Sequence, residues 1–281
     1  MRPVFFGIDP KWNSLLPLVV INVLMLLSVV IFAFKYKKRG KTELAERANS
    51  KWVGPFLYEY WGWFITPIEN LAIKLGLTPN FFTTLGFLLS AGAAVAFATG
   101  HFGVAGWLVI VGGTCDMFDG RIARRTGQST KSGAFYDSVM DRFGEAVVYL
   151  GLALFFRNSW ILYAVLAALI GSTMVSYTRA KGDSVGVDCH VGAMQRPERI
   201  VYLGVGSIFS PPFRQIIQPA GTSPVEYLAI AALVFISVMT LVTALYRMIY
   251  IMHKLNQREG RHAKRERSPL LKKLSTRYLD I

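Results

Sequence analysis

The 281-residue chain has only two cysteines, Cys115 and Cys189, and four histidines. The histidines show no ligand spacing, so a disulfide scaffold and a Cys/His zinc site are both excluded. Cys115 falls in an apolar run and Cys189 in a polar connector, so the two are not expected to pair. Charge is sparse: Asp, Glu, Lys and Arg make up 17% of the residues, with 17 acids against 31 bases. No internal repeat is visible. A cleavable leader is not expected either. Leu15–Phe34 is long for a signal h-region, basic residues follow rather than precede it, and no small-x-small site closes it, which predicts a retained anchor.

The chain is rich instead in apolar residues, at 53% with a mean hydropathy of +0.39. Spanning a bilayer takes roughly 20 mainly apolar residues. The runs that qualify are Leu15–Phe34, Phe81–Gly100, Val104–Arg124, Ala134–Phe156, Trp160–Arg179, Ile200–Phe213 and Tyr227–Met252, the sixth being short and interrupted by Pro211–Pro212. Lys51–Leu77 mixes Trp52, Tyr58, Tyr60, Trp61 and Trp63 with Pro55 and Pro67, which predicts a helix lying at the membrane surface. The expected organisation is an anchor and basic linker (1–50), an interfacial helix (51–77), a membrane domain (78–252) and a basic tail (253–281).

Basic residues crowd alternate connectors: Lys35–Lys41, Arg121–Lys131, Arg179–Arg199 and the segment after Met252. His101–Gly103 and Arg157–Ser159 are short and nearly uncharged. The positive-inside rule then places the N-terminus outside, the C-terminus inside, and the basic connectors on the cytoplasmic face of the cell membrane. The net charge of +14 sits in these juxtamembrane clusters, where anionic lipid headgroups explain it and nucleic acid is not required.

Four carboxylates break the apolar pattern. Asp116 to Asp141 reads DMFDGRIARRTGQSTKSGAFYDSVMD. An intramembrane charge costs roughly 2.5–3.5 kcal/mol on insertion scales, so such residues usually face the protein interior and serve a function. Asp116 and Asp119 are i, i+3, and Asp137 and Asp141 are i, i+4, so each pair shares one face of a helix. Two such faces joined by a polar turn make an oxygen-lined cage for hard cations, Mg2+ or Mn2+. A cation channel would spread its acids along a path, whereas these cluster beside Gly120 and Arg124.

The order D-x2-D-G-x2-A-R-x8-G-x3-D-x3-D is filled by Asp116, Asp119, Gly120, Ala123, Arg124, Gly133, Asp137 and Asp141. It resembles the signature of the CDP-alcohol phosphotransferase (CDP-alcohol phosphatidyltransferase) family, over about Glu59 to Met252. The resemblance implies an all-α integral membrane protein: a six-helix core preceded by an interfacial helix and here by one extra N-terminal transmembrane helix. Family members are usually homodimers. It also implies transfer from a CDP-linked lipid to an alcohol with release of CMP. Two ions would be held by the four Asp, and Asp141 would double as general base. CDP-lipid contacts would fall on Gly120, Ala123, Arg124, Thr130 and Gly133, and on Asn80, Phe81, Phe82 and Thr83 of TPNFFTTLG, which matches the family's P-N-x-x-T.

The acceptor is read from SYTRAKGDSVGVDCHVGAMQRPER, Ser176 to Arg199. Should this segment fold back beside the acids, Ser176, Arg179, Lys181, Arg196 and Arg199 would form a cationic pocket suited to a phosphorylated alcohol. The pattern S-Y-x-[RK]-A-[RK] followed by R-P-E-R is similar to phosphatidylinositol-phosphate and archaetidylinositol-phosphate synthases, which implies CDP-diacylglycerol or an ether analogue as donor and inositol 1-phosphate as acceptor. Lys181 stands where Arg is frequent, and Gly182–Asp183 replace Ala–Glu. Glycerol 3-phosphate is the alternative acceptor. DSVMDRFGEA resembles the inositol-phosphate branch more than the phosphatidylglycerophosphate synthases.

Overall fold

The computed structural model describes residues 20, 23–34, 36, 54–217 and 225–266, which are helix and connector with no strand among them. The helices are α1 (Val23–Phe34), α2 (Gly54–Lys74), α3 (Pro79–Ala98), α4 (Phe102–Thr126), α5 (Lys131–Phe155), α6 (Ile161–Ser184), α7 (Arg196–Ile217) and α8 (Tyr227–Glu266). The expected first-span residues before Val20, the basic linker at 37–53 and the tail after Glu266 lie outside the described residues.

Four helices, α3, α4, α6 and α8, are long and apolar enough to cross a membrane. α5 and α7 have 25 and 22 residues, about 37 and 33 Å at 1.5 Å per residue. They match a bilayer in length but carry several of the polar and charged groups described below, so their composition is less apolar. The sixth expected span was a short run broken at Pro211–Pro212, but α7 is continuous through both and begins at Arg196. The two prolines are adjacent and sit in the last two turns, so the N–H donors they withdraw fall in one patch near the helix end. α8 outruns its expected end at Met252 and continues to Glu266.

The packed pairs close into a ring in the order α3, α4, α7, α8, α6, α5 and back to α3. Its apolar core lies toward one end, around Phe97, Phe102, Leu152, Val165, Leu233 and Ile236. The opposite end carries the α4–α5 turn and the acids. Small residues let the helices approach there: a Cβ on Gly86 would stand 3.2 Å from Gly112 O and 3.3 Å from Asp116 Oδ1. α2 docks on α4 through Ile65, Ala72, Phe118 and Ile122, with Phe82 of α3 in the same cluster, and Trp61 Nε1 donates to Thr114 Oγ1 at 3.1 Å. α1 in turn leans on α2, where Phe32 meets the rings of Phe56, Tyr60 and Trp63 and the Ser28 and Tyr60 hydroxyls are 2.6 Å apart. The expected surface helix therefore buries one side against the core.

Candidate active site

The turn between α4 and α5 is built to present two acidic faces to each other. α4 ends on Gly127, whose φ of +69° is the left-handed value that closes a helix. Three residues later Thr130 caps α5, its Oγ1 accepting from Gly133 N at 3.0 Å. Asp116 and Asp119 on α4 then face Asp137 and Asp141 on α5.

Three of these carboxylates converge. Asp116, Asp137 and Asp141 each offer an oxygen, all within 4.8 Å of one another. Asp119 stands beside them but is nearly buried, and its Oδ2 accepts from Thr83 Oγ1 at 2.7 Å. The trio fits a hard divalent ion on two grounds. Its donors are all carboxylate oxygens, and Asp137 Oδ1 is buried with no hydrogen-bond partner among the described residues. An acceptor stranded in that way is costly unless something positive meets it.

Arg196, the first residue of α7, reaches into this cluster. Its Nη1 lies 2.6 Å from Asp141 Oδ2 and also pairs with Asp116 Oδ2. One guanidinium thus spans the two acidic helices. Beside it opens a cavity of about 630 Å³ lined by Asp141, Arg142, Glu145, Ser176, Arg179, Asp183, His190, Arg196, Arg199 and Arg247 among others. Ser176, Arg179, Arg196 and Arg199 of the expected acceptor pocket are all brought to this wall, whereas Lys181 is exposed and not among the lining residues.

Arg199 faces the cavity but is already engaged. Its Nε and Nη2 donate to both oxygens of Glu145, at 2.6 and 2.9 Å, and its Nη1 to Met194 O at 3.3 Å. Arg247 on α8 donates to Val191 O and Val175 O, both at 2.7 Å, tying the loop before α7 to α6. Sequence reasoning missed Glu145 and Arg247. Glu145 had a signal, since it falls one turn after Asp141 on the same face. Arg247 had another, being the lone charge in an apolar run.

On the donor side, Asn80, Thr130 and Gly133 come together. A Cβ on Gly133 would lie 3.0 Å from Thr130 Oγ1 and 3.7 Å from Asn80 Oδ1. The Arg124 guanidinium lies over Gly120, 3.3 Å from where a Cβ would sit. Ala123 is half-buried. Phe82 is buried against Phe118, with ring centroids 5.2 Å apart, while its neighbour Phe81 is exposed. Cys115 and Cys189 are both buried and free.

A helical membrane bundle with an acidic trio that could hold a metal ion, a flanking arginine and an adjoining cationic cavity is the setting of a membrane transferase acting on charged lipid precursors. The family model described as CDP-alcohol phosphatidyltransferase matches residues 76–252, and the chain belongs to that family. It is 31% identical over 188 residues to the archaetidylinositol phosphate synthase of Methanothermobacter thermautotrophicus, covering 67% of this chain and 90% of that protein. It is 34% identical over 152 residues to the phosphatidylinositol phosphate synthase of Mycobacteroides abscessus, covering 51% and 68%. Among solved structures it resembles the Mycobacterium tuberculosis phosphatidylinositol phosphate synthase in complex with manganese and citrate. That match has a TM-score of 0.58 and 26% identity over 66% of this chain and 88% of that one. The same enzyme with CDP-DAG bound gives 0.57 and 27%, covering 66% and 92%.

Proposed function

We propose that this enzyme transfers the phosphatidyl group of CDP-diacylglycerol, or of an ether analogue, to the hydroxyl of inositol 1-phosphate and releases CMP. The observation that carries the acceptor class is the cavity beside Asp141, where Arg179, Arg196 and Arg247 converge on a space of about 630 Å³. Guanidinium groups suit a phosphate dianion, for which serine or an unphosphorylated polyol has no counterpart. The likeness to inositol phosphate synthases supports the inositol ring over glycerol.

In this reading Asp116, Asp119, Asp137 and Asp141 hold two Mg2+ or Mn2+ ions. Bound there, the ions would neutralise the pyrophosphate and the charge that develops on the departing CMP. Gly120 lets the pyrophosphate approach α4, Arg124 pairs with it, and Asn80, Thr130 and Gly133 line the cytidine side. Arg196 and its neighbours hold the acceptor phosphate so that its free hydroxyl faces Asp141. Asp141 takes the hydroxyl proton as the acceptor oxygen attacks the lipid-side phosphorus. A new P–O bond forms there, and the bond to CMP breaks with its electron pair leaving on CMP. The site lies at the cytoplasmic end of the bundle in the cell membrane, with the acyl chains remaining in lipid.

The test is CMP release by purified protein with CDP-diacylglycerol and Mg2+, comparing inositol 1-phosphate, glycerol 3-phosphate, inositol and serine. Release with inositol 1-phosphate alone is expected. Release only with glycerol 3-phosphate would keep the four-Asp chemistry and replace the acceptor.

A further inference from the structure

α4 has two working faces. Asp116, Gly120 and Arg124 follow one another at i, i+4 along the face turned to the site. Thr114, Phe118, Arg121 and Arg125 follow a second stripe that packs on α2. The rotation of α4 about its axis therefore decides where the metal-binding and donor-binding groups point.

The second stripe is tied to α2 by one buried carboxylate. Glu69, in the last turns of α2, is completely buried. It receives Arg121 at 2.6 Å and Arg125 at 2.9 Å, and Arg121 Nη2 also donates to Thr66 Oγ1 at 3.1 Å. Two guanidinium groups one turn apart on α4 are thus tied to one point on α2. Arg124, between them in sequence, is rotated away from the pair to lie over Gly120 and makes no ion pair among the described residues. Burying a carboxylate costs several kcal/mol unless it is paired, so a merely solubilising role for Glu69 is excluded. The charge also falls short of balance: two cations meet one anion, so losing Glu69 would leave Arg121 and Arg125 repelling each other.

We propose that Glu69 is a positioning residue for the CDP-lipid: through Arg121 and Arg125 it sets the rotation of α4, so that Gly120 and Arg124 meet the donor's phosphates. The acceptor cavity is lined by α5, α6, α7, α8 and the loop before α7, and α4 reaches it only through the pairing of Asp116 with Arg196. Misplacement of about 1 Å is enough to cost on the order of 10²-fold in a positioned reaction. The proposal rests on the transferase reading above.

The experiment measures CDP binding to the full-length protein in detergent with Mn2+ and no acceptor, by calorimetry, alongside the Michaelis constants for CDP-diacylglycerol and for inositol 1-phosphate. Glu69→Gln is expected to weaken CDP binding at least tenfold and to raise the Michaelis constant for the donor in step, leaving that for the acceptor within twofold. Glu69→Asp should recover part of the loss. Arg125 is half-exposed, so Arg125→Gln leaves a one-to-one pair and a folded protein, and should weaken CDP binding about threefold. That variant decides the matter should Glu69→Gln not fold. Unchanged CDP affinity in folded variants, or equal losses for donor and acceptor, would overturn the positioning role alone. A wild-type protein that binds no CDP would overturn the transferase reading together with it.

Discussion

The Arg199 guanidinium and the Glu145 carboxylate meet two-on-two, Nε to Oε1 at 2.6 Å and Nη2 to Oε2 at 2.9 Å, joining α7 to α5 one turn below Asp141. The sequence pattern cast Arg199 as a ligand for the acceptor phosphate. In the structure most of its donors are spent within the protein, which makes it first a brace for the helix that carries Arg196. Arg199→Ala leaves Glu145 without its partner, and breaking a buried pair typically costs 3–5 kcal/mol. Arg199→Lys keeps the charge but not the fork and should lie between. Thermal unfolding in detergent reads this directly. The double variant Glu145→Gln/Arg199→Met should unfold closer to wild type than Arg199→Ala does. If it is no better, the two side chains do not act as a pair.

Asp141→Asn tests the proton acceptor. The amide is nearly isosteric and its oxygen still accepts from Arg196, so the fold should hold. CMP release should fall by at least about 10²-fold, the usual contribution of a positioned base. Mn2+ affinity, followed by electron paramagnetic resonance in the same variant, separates two roles. A lost rate with near-normal Mn2+ binding marks a base. Parallel loss of both would reduce Asp141 to a metal ligand, and wild-type activity would remove it from the chemistry.

The acids were legible in the sequence because charge inside an apolar helix carries a penalty that only function or pairing offsets, and because helical periodicity converts spacing into direction. The same logic gave the spans, but not their ends. Pro211 and Pro212 look like a break to any local rule, yet α7 runs on through both to Ile217. Pairing across helices was the least visible. Glu69 with Arg121 and Glu145 with Arg199 are separated by 52 and 54 residues, and no local pattern says which charge on one helix meets which on another. Arg199 and Lys181 were assigned to the pocket on their charge and on the sequence pattern they complete. Only the three-dimensional arrangement distinguishes a cation braced by Glu145, or one turned outward, from cations that line the cavity with donors to spare.

Arg196 belongs to that last group, and its removal should act on the acceptor. A charge-assisted hydrogen bond contributes about 1.5–3 kcal/mol, so Arg196→Ala should raise the Michaelis constant for inositol 1-phosphate roughly ten- to hundredfold. The constant for CDP-diacylglycerol should move less than threefold. Steady-state kinetics with each substrate varied in turn provide the check. Equal rises for both would mean that Arg196 serves the acidic cluster as a whole through its contacts with Asp116 and Asp141, and the acceptor phosphate would then have to be held by Arg179 and Arg247.

The tightest approach of a described glycine to another helix's backbone sets a limit of a different kind. A Cβ on Gly151 of α5 would fall 2.2 Å from Ala94 O and 2.5 Å from Ala94 Cα on α3, backbone against backbone, with no side chain able to yield. Gly151→Ala must therefore push α3 and α5 apart. Overpacking of a tight contact costs typically 1–3 kcal/mol, and this one should fall at the upper end or beyond. Gly92 on the same α3 is the control: a Cβ there would meet only Leu108 Cδ1 at 3.6 Å, ordinary contact distance. Gly92→Ala should match wild type in thermal unfolding, while Gly151→Ala unfolds at clearly lower temperature. Because α3 carries Thr83 and α5 carries Asp137 and Asp141, the Gly151 variant should also lose activity at temperatures where it is still folded. Equal behaviour of the two alanine variants would mean that the α3–α5 contact is looser than these distances.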